Sequence, residues 1–181
     1  MKENLTRKIT FTACLTTIVC VTTYAVAVPL PIGGYFNAGD IFVLLCGWLL
    51  GPWYGALAAG LGSALADLFL GYALYAPATF FVKGGVALIA WIGYTLFKKL
   101  IKKETLDFLP RACGAIIAEF FMVAGYFAFE ALALGLGVGA AANLLGNTMQ
   151  GLCGILGGVA VVSALYPLPK LKGFFPSLHM K

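Results

Sequence analysis

Charge is scarce in this sequence. Of its 181 residues only 10% are Asp, Glu, Lys or Arg, and there is one histidine, His179. A soluble domain carries about 25% charged residues. The 12 basic and 7 acidic side chains present are too few to cover a water-exposed globule. That excludes an ordinary soluble enzyme, a disordered chain and a nucleic-acid binder. The motifs of nucleotide and hydrolytic chemistry are missing too: there is no Walker A sequence, no G-x-G-x-x-G after a strand, no H-E-x-x-H and no G-x-S-x-G. No nucleophile–base set stands out, so no catalytic residue is assigned and the chain is not read as an enzyme. The five cysteines, Cys14, Cys20, Cys46, Cys113 and Cys153, form no C-x-x-C pair and all lie in apolar runs. They read as small packing residues. No metal and no cofactor is expected.

What is abundant is apolar surface. Hydrophobic residues make up 61% of the chain and the mean hydropathy is +0.96. A membrane span needs about 20 apolar residues. Six spans would use about 120 residues and leave about 60 for loops, with no room for a separate soluble domain. Residues 1–181 are therefore read as one transmembrane domain. The apolar runs cover 9–28, 41–50, 53–71, 76–97, 112–135 and 142–166.

Gly51-Pro52 divides what would otherwise be one run from 41 to 71, and the lysines decide whether that division is a turn. All but one of the basic residues fall in three clusters: Lys2, Arg7 and Lys8; Lys98, Lys99, Lys102, Lys103 and Arg111; Lys170, Lys172 and Lys181. Cytoplasmic flanks carry such clusters, so an even number of spans must separate them. A single span over 41–71 breaks that parity, and a turn at 51–55 restores it. The expected architecture is all-α, with six transmembrane helices and both termini cytoplasmic. Trp53 and Tyr54 would anchor the turn at the interface. A second helix from Ala38 to Pro52 covers only about 22 Å, so either the bilayer thins locally or the turn is buried. A competing reading makes 1–27 a signal peptide ending at Ala25-Val26-Ala27. Cleavage there would leave five spans and upset the charge pattern, so the segment is read as the first span. Glycines and alanines spaced by four, such as Gly47, Gly51 and Gly55, mark close helix packing.

The informative polar residues are those inside or at the edges of the apolar runs: Asp40, Asp67, Lys83, Glu119 and Glu130. Each costs about 2.5–3.5 kcal/mol at the bilayer centre on insertion scales if unpaired. All but Glu119 fall toward the outer half, where Asn143, Asn147 and Gln150 also begin the last helix. These three share one helix face by their 4- and 7-residue spacing, and Glu119 and Glu130 share another. Asp40 reads most simply as an N-cap, and Asp67 with Lys83 as an ion pair locking the third helix to the fourth. Asn143 reads as a cap or a ligand contact. Asn147, one turn deeper, reads as ligand-facing, as does Glu130; Gln150 and Glu119 stand open between roles. With the pair and the cap set aside, two glutamates remain. They favour a neutral or cationic ligand with exocyclic donors over an anion. Tyr35, Phe36, Tyr72 and Tyr75 crowd the outer loops beside Asn37, placed to stack on a flat ring or to anchor at the interface.

The stretch Gly34-Tyr35-Phe36-Asn37-Ala38-Gly39-Asp40, then Leu50-Gly51-Pro52 with Tyr54-Gly55-Ala56, then Gly62-Ser63-Ala64-Leu65-Ala66-Asp67, Gly71-Tyr72, Tyr75-Ala76-Pro77 and Lys83-Gly84, resembles the S component of energy-coupling factor (ECF) vitamin transporters. The branch it is most similar to contains the hydroxymethylpyrimidine/pyridoxine and riboflavin-type components. The resemblance implies a multi-pass protein of a bacterial or archaeal plasma membrane. It implies capture of a small vitamin near the outer face, best taken as pyridoxine or hydroxymethylpyrimidine. Its partner would be a transmembrane coupling protein driven by two cytoplasmic ATPases. The resemblance places docking on the first helix at Ala13 and Thr17, where Thr replaces the second Ala of the family's Ala-xxx-Ala motif. By location it places ligand contacts at Asn37, Lys83, Glu130, Asn143 and Asn147; with Tyr35, Tyr75 and Gln150 from the residue reading, these are the candidate substrate contacts. A self-standing secondary transporter with Glu119 and Glu130 as a proton relay is the alternative.

Overall fold

The computed structural model describes residues 5–101, 103–166, 168 and 175. Lys2, Lys102, Lys170, Lys172, Lys181 and His179, part of the sequence reading above, lie outside the described residues. Among the described residues six α-helices follow the apolar runs: α1 (Leu5–Ala25), α2 (Asp40–Leu50), α3 (Pro52–Leu70), α4 (Ala76–Leu100), α5 (Phe108–Ala128) and α6 (Leu144–Leu165). A π-helical turn, Phe129–Ala133, extends α5, and a 3-10 helix, Gly137–Asn143, leads into α6. Counting these extensions, five of the helices are long and apolar enough to cross a membrane.

The exception is α2, whose 11 residues rise only about 16 Å. Of its turn into α3, Gly51 and Gly55 are buried while Trp53 is exposed, so the turn is only partly covered and it is α2 itself that is enclosed. Helices α1, α3, α4 and α6 all pack against α2. Val43, Leu44, Cys46 and Trp48 are fully enclosed, and the Trp48 indole N–H donates to the Ala90 carbonyl at 3.3 Å. A helix wrapped in protein does not need to match the thickness of the lipid. Gly51 sits at φ 80°, a conformation that L side chains rarely adopt. Pro52 then starts α3 with its ring at the first helical position. The chain thus reverses with no intervening loop.

Small residues set the other helix distances. Gly93 of α4 and Gly114 of α5 meet backbone to backbone; a Cβ on Gly93 would lie 2.5 Å from the Gly114 Cα. The core around α2 is completed by Val86, Ala87, Ala90 and Tyr94 from α4, Ala115, Ala118 and Met122 from α5, and Val162 from α6.

The described basic flanks gather at one end of the bundle, where Lys8 lies over the Tyr54 ring at 5.6 Å, beside the α2–α3 turn. Arg111 departs from the sequence reading as a plain flank residue. It is buried, stacks 3.8 Å from the centre of the Tyr94 ring, and pairs with Asp107 at 2.9 Å; Lys98 reaches the other oxygen of Asp107. Burial opposes the charge of Asp107, but Arg111 and Lys98 outweigh it and hold its carboxyl below the usual carboxylate range. At the opposite end a short hairpin caps the bundle. Strand β1 (Ala27–Pro29) pairs antiparallel with β2 (Tyr35–Asn37), Val28 opposite Phe36. The sequence reading has no strand here; three-residue strands are too short to show an alternation.

Candidate functional site

Beneath the hairpin lies a narrow cavity with about 390 Å³ of unfilled space, counted out to and including its open mouth. Every long helix contributes to its wall. Thr23 comes from the end of α1, Ser63 and Asp67 from the last turns of α3, and Thr79 and Lys83 from the first turns of α4. The far wall is Tyr126 and Glu130 from α5 and its π-helical turn, with Asn147 and Gln150 from α6. Tyr35 and Asn37 on β2, Tyr75 before α4, and the loop residues Leu30 and Gly34 form the roof.

Two hydrogen-bonded groups organise these side chains. In the first, Lys83 Nζ pairs with Asp40 Oδ1 at 2.5 Å, and Gln150 Nε2 donates to Asp40 Oδ2 at 2.6 Å. Gln150 Oε1 in turn accepts from the Asn37 backbone N–H at 2.9 Å and from its amide at 3.1 Å. The Asn37 side-chain oxygen accepts the Gly39 N–H at 2.9 Å and turns the chain into α2. One amide, Gln150, thereby ties the roof to the buried ion pair. Lys83 also lies 5.4 Å from the centre of the Tyr126 ring. In the second group, the Tyr35 hydroxyl donates to Asp67 Oδ1 at 2.5 Å. The Tyr75 hydroxyl reaches Glu130 Oε1 at 3.4 Å, and Asn143 Nδ2 donates to the same oxygen at 2.9 Å and to the Gly33 carbonyl at 2.8 Å. Burial, and then the neighbouring carboxyl charge, push both phenols upward, Tyr75 to about 12 and Tyr35 further. Both therefore remain neutral donors at physiological pH.

The structure brings most of the expected residues together. Tyr35, Asn37, Tyr75, Lys83, Glu130, Asn147 and Gln150 all line the cavity; Asn143 stands behind Glu130 and does not line it. Three partner assignments differ. Lys83 pairs with Asp40 and not with Asp67, because α2 presents Asp40 to α4 inside the bundle. Asp67 binds Tyr35 instead and faces the cavity beside the Thr79 hydroxyl. Asp40 is the first residue of α2 and not its cap; that position falls to Gly39, and the carboxylate turns inward. Asn143 does precede α6, but its amide is spent on Gly33 and Glu130 and makes no capping bond. Glu119 and Glu130 also part company. Glu119 lies against Gly151 and Gly154 of α6, with both carboxyl oxygens lacking a partner among the described residues.

Sequence reasoning missed Thr23, Ser63, Thr79 and Tyr126. A signal for three of them was present. Ser63, Thr79 and Tyr126 each precede a recognised ionisable residue by four positions (Asp67, Lys83 and Glu130), and that spacing puts both on one helix face. Thr23 has no such neighbour.

Ala13 and Thr17 lie elsewhere, one turn apart on the exposed side of α1. Thr17 turns its hydroxyl back onto the Ala13 carbonyl at 3.0 Å, which leaves that face without an outward polar group.

Comparison with known proteins agrees with this architecture. A protein of Pyrococcus woesei described as an uncharacterized protein in the gap 3′ region is 36% identical over 139 residues, covering 76% of this chain and 87% of that relative. A crystal structure of the S-component for biotin from an ECF-type ABC transporter superposes with a TM-score of 0.59 over 97% of this chain and 99% of that one. At 19% identity this likeness speaks for the fold alone. The family described as ECF-type riboflavin transporter, S component, matches residues 3–167. The cavity thus lies in a helical subunit of a vitamin transporter and not in an enzyme: the chain belongs to the ECF-type riboflavin transporter S-component family.

Proposed function

We propose that this protein is the substrate-binding subunit of an ECF-type vitamin importer. It captures a small water-soluble vitamin in the cavity under the β1–β2 hairpin and delivers it by docking on a transmembrane coupling protein with two cytoplasmic ATPases. The observation that carries this reading is the cavity itself: a partly open site at the end of the bundle away from the basic flanks, lined mostly by polar side chains from all five long helices and the hairpin. By the positive-inside rule the end with Lys8, Lys98 and Lys103 faces the cytoplasm, so the cavity faces outward and both termini lie inside. Docking uses the small exposed face of α1 at Ala13 and Thr17. The ligand class is a pyridine or pyrimidine alcohol such as pyridoxine or hydroxymethylpyrimidine. Riboflavin, named in the family's description, belongs in the same test panel.

The test is direct. Small molecules that co-purify with the full chain are identified by mass spectrometry, and a vitamin panel is titrated against tryptophan fluorescence. The reading predicts a vitamin bound at about micromolar Kd or tighter, roughly 8 kcal/mol of binding. A panel with no member binding that well would remove it. The secondary-transporter alternative draws on Glu119 and Glu130 as a proton relay; both carboxyl oxygens of Glu119 and Oε2 of Glu130 are buried without a partner among the described residues. It requires uptake into proteoliposomes that contain this chain alone and no ATP.

A further inference from the structure

The carboxylates of the cavity are held asymmetrically. Tyr35 occupies one oxygen of Asp67; Tyr75 and Asn143 occupy one oxygen of Glu130. The second oxygen of each, Asp67 Oδ2 and Glu130 Oε2, has no hydrogen-bond partner among the described residues, although both residues are almost completely buried and both line the cavity. A buried carboxylate oxygen left without a partner is costly; both oxygens are themselves enclosed, in residues that line the cavity, Asp67 beside the Thr79 hydroxyl. Among the described residues, the one cationic side chain on the wall is Lys83. Its ammonium is paired with Asp40 at 2.5 Å, which offsets the charge it could offer an anion. Away from the Asp107–Arg111 pair at the basic end, the buried charged groups among the described residues are four carboxyls, Asp40, Asp67, Glu119 and Glu130, against the single ammonium of Lys83. Tyrosine rings at positions 35, 75 and 126 complete the wall, and aromatic faces attract cations.

Resting on the importer reading above, we propose that the ligand is a small aromatic ring bearing a positively charged nitrogen, a protonated amine or a quaternised ring atom, which enters between Asp67 and Glu130 and takes their unpartnered oxygens. This narrows the ligand class that the sequence leaves as neutral or cationic. Hydrogen bonds to charged groups are the stronger ones, so a cation should gain more from these two oxygens than a hydroxyl of the same shape. A ligand that carries a carboxylate meets two like charges and, among the described residues, no cation that is not already paired.

A matched pair of probes tests this. Pyridoxamine carries a protonated aminomethyl group near neutral pH where pyridoxine carries a neutral hydroxymethyl group of nearly the same size. Both are titrated against the full chain in lipid nanodiscs, with thiamine as a permanently charged probe, riboflavin as a neutral one and biotin as an anion. The expected result is that pyridoxamine or thiamine binds at least about tenfold more tightly than any neutral or anionic probe, a difference of about 1.4 kcal/mol. Asp67→Asn and Glu130→Gln should each shrink the ratio between pyridoxamine and pyridoxine toward one. Because a ratio is read on the folded fraction, either variant suffices if the other fails to fold. If riboflavin, pyridoxine or biotin binds as tightly as the cations, or tighter, the charge inference is overturned while the importer reading stands. If the ratio survives both substitutions, the two carboxylates are not the recognition point and the inference falls. If no probe binds, the importer reading itself fails and takes this inference with it.

Discussion

At the scale of single residues, the site separates side chains committed to the protein from those left open. Lys83, Asp40 and Gln150 satisfy one another. Asn147 is buried, lines the cavity and makes no side-chain hydrogen bond among the described residues. Two expectations follow from that division. Glu130→Gln and Asn147→Ala should weaken vitamin binding, each by about tenfold, with expression and detergent stability near the parent protein; titration beside a thermal melt reads both. Unchanged affinity in both would take the ligand out of this cavity. Lys83→Met, by contrast, strands Asp40 in the interior. Breaking a buried pair from one side costs about 3–5 kcal/mol. The melting temperature of Lys83→Met should fall sharply, and adding Asp40→Asn should recover most of the loss. If the double variant melts as low as the single one, the pair is not what the lysine supports. The same division explains what could be read from sequence. The ionisable residues were visible because charge in an apolar run is rare. Ser63, Thr79 and Tyr126 carry no charge, and hydroxyl groups are common in membrane helices, so only their spacing could have marked them. The partner of Lys83 was not legible. Asp40 and Asp67 both lie at a suitable depth, and the choice between them depends on how α2 is seated, which no local pattern states.

At the scale of elements, helix number and boundaries were largely legible, because apolar runs and glycine-proline breaks report directly on helices. The hairpin was not, since its strands have three residues each. The π-helical turn after α5 was also hidden. Glu119 and Glu130 are spaced for one face of a regular α-helix, yet they have different surroundings, one against α6 and the other at the cavity. The outer face of α1 offers an element-level test. Ala13 and Thr17 are exposed, and α1 turns Thr12, Leu15, Val19 and Thr23 inward. A bulky side chain at position 13 therefore leaves the bundle intact. Ala13→Trp should abolish energised uptake in cells that contain the coupling module and leave vitamin affinity within about twofold, as for a surface change that spares the fold. Loss of affinity along with uptake would show that this face supports the fold instead of a partner.

At the scale of the whole molecule, orientation is the property with the broadest consequences. Leu74 is exposed between α3 and α4 at the cavity end, and Lys103 is exposed at the basic end. In a cysteine-free background, a membrane-impermeant maleimide should label Leu74→Cys in intact cells and Lys103→Cys only after permeabilisation. The reverse pattern would turn the cavity toward the cytoplasm and invert the direction of capture.

The seating of α2 bears on how such a chain is made. Eleven residues are too few to halt in a bilayer alone, and the turn at Gly51 joins α2 directly to α3, so residues 40–70 enter as one helical pair. The partners of Asp40 are synthesised later: Lys83 lies 43 positions downstream and Gln150 lies 110. Until Lys83 has followed, therefore, this helix pair sits in the membrane with an acidic group awaiting neutralisation. The arrival of α6 fills the last wall and brings in the amide that links Asp40 to the roof. A nascent chain truncated before residue 150 would have the hairpin and four of the five long helices but no closed site, so ligand capture marks the end of assembly in this protein.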